Sequence, residues 1–192
     1  MKHYIKENLM DHIKVMNTIL SKNYILSQIE GVAKDIVNCY KNGKKVITLG
    51  NGGSAADAEH CVAELMGRFK KDRAPLEAIA LTANDPTNTA IANDYGYEHL
   101  FERLITGYAK KGDVVIAIST SGNSANIIYG VRKAKELETI TVGLTGSDKC
   151  LLEKEFPSYI IKVPSDDTPR IQEAHTTIIH LICGLVEAEL FK

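Results

Sequence analysis

The chain has 192 residues, 44 % of them apolar, with 23 Lys and Arg against 24 Asp and Glu and a formal net charge of -1. That length and apolar content suit one α/β domain with a buried core and exclude a disordered or fibrous chain. The balanced, interspersed charge leaves no electrostatic footprint for nucleic acid or an anionic membrane, so any anion site must be local.

Residues 4–40 read as helical throughout. Ile5, Leu9, Ile13, Met16, Ile19 and Leu20 form one apolar stripe, and Ile25, Ile29, Val32, Ile36 and Val37 form a second, closed by Asn42-Gly43. A leading helical hairpin that does not alternate with strands must bury its stripe elsewhere. The expectation is that residues 1–41 pack at an oligomer interface and 45–192 form the α/β body of a single domain.

The first strand is 45–49, and Gly50-Asn51-Gly52-Gly53 follows it into a helix over 54–66. Glycines at a strand–helix junction let backbone approach a ligand, and the helix N-terminus supplies unpaired N–H groups and a positive dipole end. The turn matches neither the P-loop nor the dinucleotide fingerprint. Ser54 and Asp57 have capping-box spacing, which would set the helix start. His60 and Glu64 share one helix face, expected one turn below the anion site.

Further strands are expected at about 77–81, 113–118, 139–144 and 158–163. Helices fill the gaps: two short ones in 86–109, one at 124–137, a weak turn near 148–154 and a long one from about 168 to 190. This alternation predicts a doubly wound, five-stranded parallel sheet with ligands at the carboxyl ends of the strands, near a switch point. After the third strand, Ser119-Thr120-Ser121-Gly122-Asn123-Ser124 offers more hydroxyls than a helix cap needs and can surround an oxyanion. Thr145-Gly146-Ser147-Asp148 is a weaker relative, read as a plain turn. The last helix carries Gln172, Glu173, His175 and His180 beside an apolar stripe.

Cys39, Cys61, Cys150 and Cys183 form no C-x-x-C pair and read as buried thiols. The opening Met1-Lys2-His3-Tyr4-Ile5-Lys6-Glu7 has no apolar leader segment, and no run reaches membrane-spanning length. A soluble cytoplasmic protein is expected.

Taken together, Gly50-Asn51-Gly52-Gly53-Ser54, Asp57-Ala58, His60, Glu64-Leu65, Asn93-Asp94, Ser119-Thr120-Ser121-Gly122-Asn123-Ser124 and Arg170-Ile171-Gln172-Glu173 with His180 resemble the phosphoheptose isomerases of the sugar isomerase (SIS) fold family, flavodoxin-like in architecture. The resemblance spans nearly the whole chain. It implies conversion of sedoheptulose 7-phosphate to D-glycero-D-manno-heptose 7-phosphate for lipopolysaccharide or capsule heptose, in a homotetramer with sites at protomer interfaces and one zinc ion per subunit. It places Asn51, Gly52, Gly53, Asn93 and Asp94 on the substrate, and Ser119, Thr120, Ser121 and Ser124 on the phosphate, with Arg68 near the pocket. Glu64 and Gln172 would also touch substrate. His60, Glu64, Gln172 and His180 would be metal ligands, with Glu64 and His180 the base and acid. Thr168-Pro169 departs from the acidic residue some members carry there. Gln172 and His180 lie about 12 Å apart along a regular helix, so one ion held by both needs a distortion or ligands from two protomers. A non-catalytic phosphosugar-binding or initiator-associating SIS protein, or an isomerase of another phosphosugar, would share the serine loop.

Overall fold

The computed structural model describes residues 1–146, 150–155 and 158–192. Ser147 and Asp148, part of the weaker hydroxyl loop and of the turn expected near 148–154, lie outside the described residues.

The elements in order are α1 (Lys2–Ser21), α2 (Asn23–Lys41), β1 (Val46–Gly50), α3 (Gly53–Met66), β2 (Ala78–Ala80), α4 (Asp85–Tyr95), α5 (Leu100–Tyr108), β3 (Val114–Ile118), α6 (Ala125–Glu136), β4 (Ile140–Thr145), β5 (Tyr159–Lys162) and α7 (Thr168–Leu190). Short 3₁₀ turns occupy Tyr97–His99 and Leu151–Lys154. All strand pairs are parallel in the order β2-β1-β3-β4-β5, so the chain reverses direction across the sheet between β1 and β3. A ligand in such a sheet binds where β1 and β3 end side by side. The glycine turn and the serine loop leave those two strand ends.

Period-two side-chain alternation divides the strands between two cores. Val46, Val114, Ile116, Ile118, Val142, Leu144 and Ile161 face α2, α3 and α7. Ile47, Leu49, Val115 and Ala117 face α5 and α6. Both faces of the central strands are buried, which is why these runs read as continuously apolar. Lys45 and Asp113 precede the paired part of β1 and β3 as a buried ion pair at 2.7 Å, and Asp113 also accepts the Lys45 and Lys110 N–H groups. The pair tethers the entrances of neighbouring strands, where the Lys45 carbonyl already accepts the Val114 N–H at 3.0 Å.

Only the single residue Lys22 separates α1 from α2. The second apolar stripe, Ile25 through Val37, is buried. The first is not: Ile5, Leu9, Ile13 and Leu20 are 56 %, 59 %, 55 % and 69 % exposed, while Val15 and Ile19 alone are buried in α1. Polar contacts fasten α1 to the start of α7, where Arg170 donates to the Asn8 carbonyl at 2.7 Å and His12 meets Glu173 at 2.7 Å.

Candidate active site and metal centre

The glycine turn begins where β1 ends. Gly52 has φ +57°, which a side-chain-bearing residue rarely adopts, so the helix can start at Gly53. That start overturns the capping-box expectation. Ser54 already lies inside the first turn, and no side chain caps the helix. Asp57 turns instead to α7, where its Oδ1 accepts the Thr176 hydroxyl at 3.0 Å. Its Oδ2 is buried without a partner, and burial pushes the carboxyl pKa up, against the lowering effect of the Thr176 bond.

Asn51 has its side chain committed within the protein. It exchanges two 2.9 Å amide hydrogen bonds with buried Asn126 and accepts the Tyr97 hydroxyl at 2.9 Å. What remains for a ligand is the N–H edge of Gly52 and Gly53 at the N-terminus of α3. Neither Tyr97 nor Asn126 is among the residues expected from sequence. Asn126 carries a signal, a polar residue directly before the apolar Ile127-Ile128 pair; Tyr97 carries none. Asn93 and Asp94 are exposed on α4, where the Asn93 amide donates to Asp94 at 2.9 Å.

The serine loop is braced from below. Buried Ser119 accepts the Gly122 N–H at 3.1 Å through its hydroxyl, Thr120 accepts the Gly146 N–H through its carbonyl, and Asn123 accepts the Leu151 N–H through its side chain. Ser121 is exposed and accepts the Asn123 N–H at 3.2 Å. Ser124 occupies the N-cap position of α6 without making a side-chain cap. Its hydroxyl is therefore not spent on the role a plain helix start would give it. Ser119 serves first as the loop's brace, while Thr120, Ser121 and Ser124 reach the surface.

Helices α3 and α7 run in the same direction along a common seam. Contacts step from Gly53 with Gln172, through Asp57 with Thr176, to His60 with His180. At the first step the helices meet closely: a Cβ on Gly53 would stand 2.3 Å from the Gln172 Nε2 atom, so the Gln172 amide would have to shift. Near the far end, three donors converge. The His60 Nε2 atom lies 3.0 Å from the Glu64 Oε1 atom and 3.2 Å from the His180 Nε2 atom, and the latter lies 4.0 Å from Glu64 Oε1. The two imidazoles meet edge to face, and all three groups are partly exposed.

Donors about 2.1 Å from a tetrahedral ion stand about 3.4 Å from one another. The observed separations bracket that value. Two imidazole nitrogens facing each other also need a shared proton or a cation between them. Two His and one Glu with an open fourth position is a donor set that suits catalytic zinc. Gln172 does not join them in this chain. It packs on Gly53 two helical turns away, and His60 itself sits about 10 Å beyond Gly53 along α3, not the single turn expected. The cluster therefore stands away from the strand ends that hold the serine loop. Arg68 is exposed in the loop after α3.

His175 faces inward rather than toward the cluster. It is fully buried, with Nε2 3.3 Å from the Thr145 carbonyl and Nδ1 unpartnered. Burial pushes its pKa down to about 4, the Thr145 contact opposing.

The SIS domain family model matches residues 11–146. A phosphoheptose isomerase of Clostridium acetobutylicum is 45 % identical over 191 residues, covering 100 % of this chain and 97 % of that protein. Among solved structures, a phosphoheptose isomerase from Francisella tularensis superposes with a TM-score of 0.93 at 32 % identity, over 97 % of each chain. One from Neisseria gonorrhoeae gives 0.91 at 33 % identity, over 97 % of this chain and 98 % of the other.

Proposed function

The chain belongs to the phosphoheptose isomerases of the SIS domain family, and from that premise we propose how its residues carry the reaction. The enzyme interconverts sedoheptulose 7-phosphate and D-glycero-D-manno-heptose 7-phosphate. The observation that carries the reading is the convergence of His60, Glu64 and His180 on the α3–α7 seam. A non-catalytic SIS protein has no need of that convergence, which disfavours the binding-module alternative.

Moving the carbonyl from C2 to C1 requires loss of a proton from C1 and gain of one at C2 through an enediol, with a base and an acid near the operating pH. Glu64 takes the C1 proton. Its contacts to both imidazoles run through Oε1, which leaves Oε2 for that proton. His180 protonates the developing oxyanion at O2 through Nδ1, the ring nitrogen not turned to His60. Glu64 then returns its proton to C2 while His180 recovers the hydroxyl proton from O1, so no net proton is consumed. A zinc ion held by His60, Glu64 and His180 would supply Lewis-acid polarisation of the sugar oxygens. Thr120, Ser121 and Ser124, with Ser119 bracing them, hold the phosphate, and the Gly52 and Gly53 N–H groups with the exposed Asn93 and Asp94 side chains hold the sugar, while Asn51 fixes the turn through Asn126 and Tyr97. Gln172 contacts substrate beside Gly53; as a fourth metal ligand it would have to come from a second copy.

A homotetramer with sites completed across protomer boundaries accounts for the two-turn distance between cluster and glycine turn. It also covers the exposed Ile5, Leu9, Ile13 and Leu20 stripe. Light scattering at micromolar protein should return a tetramer mass, and Leu9→Asp with Ile13→Asp should lower it. A monomer in the unmodified protein would contradict the assembly. No described helix is long and apolar enough to cross a membrane. The reading places the enzyme in the cytoplasm, supplying heptose for lipopolysaccharide or capsule.

The deciding experiment follows sedoheptulose 7-phosphate by NMR with purified protein, chelated and then resupplied with zinc. Turnover lost on chelation and restored by zinc is expected. Turnover indifferent to chelation would remove the metal from the chemistry, and phosphosugar binding without turnover would return the binding-module reading.

A further inference from the structure

Helix α3 ends without the usual left-handed cap, because Gly67 has φ -80° and ψ -137°. The carbonyls at its end are nevertheless paired. Arg73 donates through one terminal nitrogen to the Glu64 carbonyl at 2.8 Å, and through the other to Leu65 at 2.6 Å, Gly67 at 3.1 Å and Ala74 at 3.1 Å. Its Nε donates to Glu187 at 3.2 Å. Glu187 also accepts the Lys70 and Lys71 N–H groups at 3.0 and 3.1 Å. Both side chains are buried, at 2 % and 3 % exposure. Burial alone would raise the Glu187 pKa, but these donors hold it below the usual carboxylate value.

One guanidinium thus touches the backbone of Glu64 and, through Glu187, the helix that bears His180 two turns earlier. The loop between them also brings the Phe69 ring to 5.6 Å from the His180 ring. A planar fork of donors can grip several carbonyls and a carboxylate at once, which an ammonium cannot. We propose that Arg73 and Glu187 are positioning residues for the isomerase: they lock the end of α3 to α7 and so set the separation of Glu64 from His180. This rests on the functional reading above. A pair that served folding alone would change stability and leave the folded enzyme's site unchanged.

The test compares unmodified protein, Arg73→Lys, Glu187→Gln and Ile105→Ala, the last a core truncation in α5 on the opposite face of the sheet. Each is assayed well below its own Tm for kcat and KM on sedoheptulose 7-phosphate, and for the Zn2+ Kd of chelated protein by titration. The two site variants are expected to lose at least tenfold in kcat with KM within twofold, and to weaken Zn2+ binding about tenfold. Ile105→Ala should lower Tm and leave all three constants unchanged. Folded site variants with the parent's kcat and Zn2+ Kd would overturn the proposal. If Arg73→Lys fails to fold, Glu187→Gln decides, since its amide oxygen still accepts the Lys70 and Lys71 N–H groups. If neither folds, the pair is a folding requirement and the proposal is likewise overturned. Unmodified protein that neither turns over substrate nor binds Zn2+ would refute the functional reading instead.

Discussion

Glu64→Gln is expected to lower kcat on sedoheptulose 7-phosphate by roughly 10²–10⁴-fold, the range a positioned general base contributes, while phosphosugar binding persists. The amide keeps the size of the side chain and can still meet His60 from its present 3.0 Å. It cannot accept the C1 proton. Calorimetry should therefore find a Kd for the substrate within a few-fold of the parent, beside an assay reading near background. Ser121→Ala should behave oppositely. Its hydroxyl is exposed, and with the serine loop proposed as the phosphate cradle, losing a hydrogen bond to a charged group should raise KM about tenfold with kcat little changed. Turnover retained in Glu64→Gln would remove Glu64 as base, and an unchanged KM in Ser121→Ala would remove the serine loop as phosphate cradle.

Acid should destabilise the fold through His175. The unfolded imidazole titrates near pH 6.5 and the buried one near 4. Above pH 6.5 both states are neutral there and folding carries no penalty. As pH falls from 6.5 to 4, the unfolded chain takes up a proton that the native site refuses, and stability declines by about 3 kcal/mol. Urea unfolding at pH 7, 6 and 5 should show that slope. In His175→Leu the slope should flatten, although the substitution carries its own packing cost at every pH. A difference between the two proteins that stays constant with pH would show that His175 is not held neutral in the core.

Much of the fold was legible because its signals are local. The five apolar runs become the five strands within a residue or two, and the long helix over 168–190 forms as Thr168–Leu190. Edges differ by a residue, as at the first strand, where the register pairs begin at Val46. The His60–Glu64 contact was readable from spacing alone, since residues four apart share a helix face. The capping box was misread for the complementary reason. Ser54-x-x-Asp57 fits the local pattern, but Gly52 starts the helix early and a hydroxyl on α7 captures the carboxylate. Glu187 carried an unused hint, a carboxylate within the apolar Leu185-Val186 stretch of α7, yet nothing nearby in sequence names Arg73 as its partner.

By itself, then, the sequence determined the alternation of strands and helices, the glycine and serine turns at strand ends, and the family to which those motifs belong. Only the tertiary structure decided that α3 and α7 lie side by side in the same direction. That arrangement brings His180 within 3.2 Å of His60 across 120 residues of chain, seats Gln172 on Gly53 instead of beside His60 and Glu64, and ties Asn51 to Asn126 and Tyr97. Periodicity and turn chemistry act between residues a few positions apart and leave their record there. Which helix faces which is settled by sheet twist and by how side chains interlock across the seam, and no short stretch of sequence holds that information.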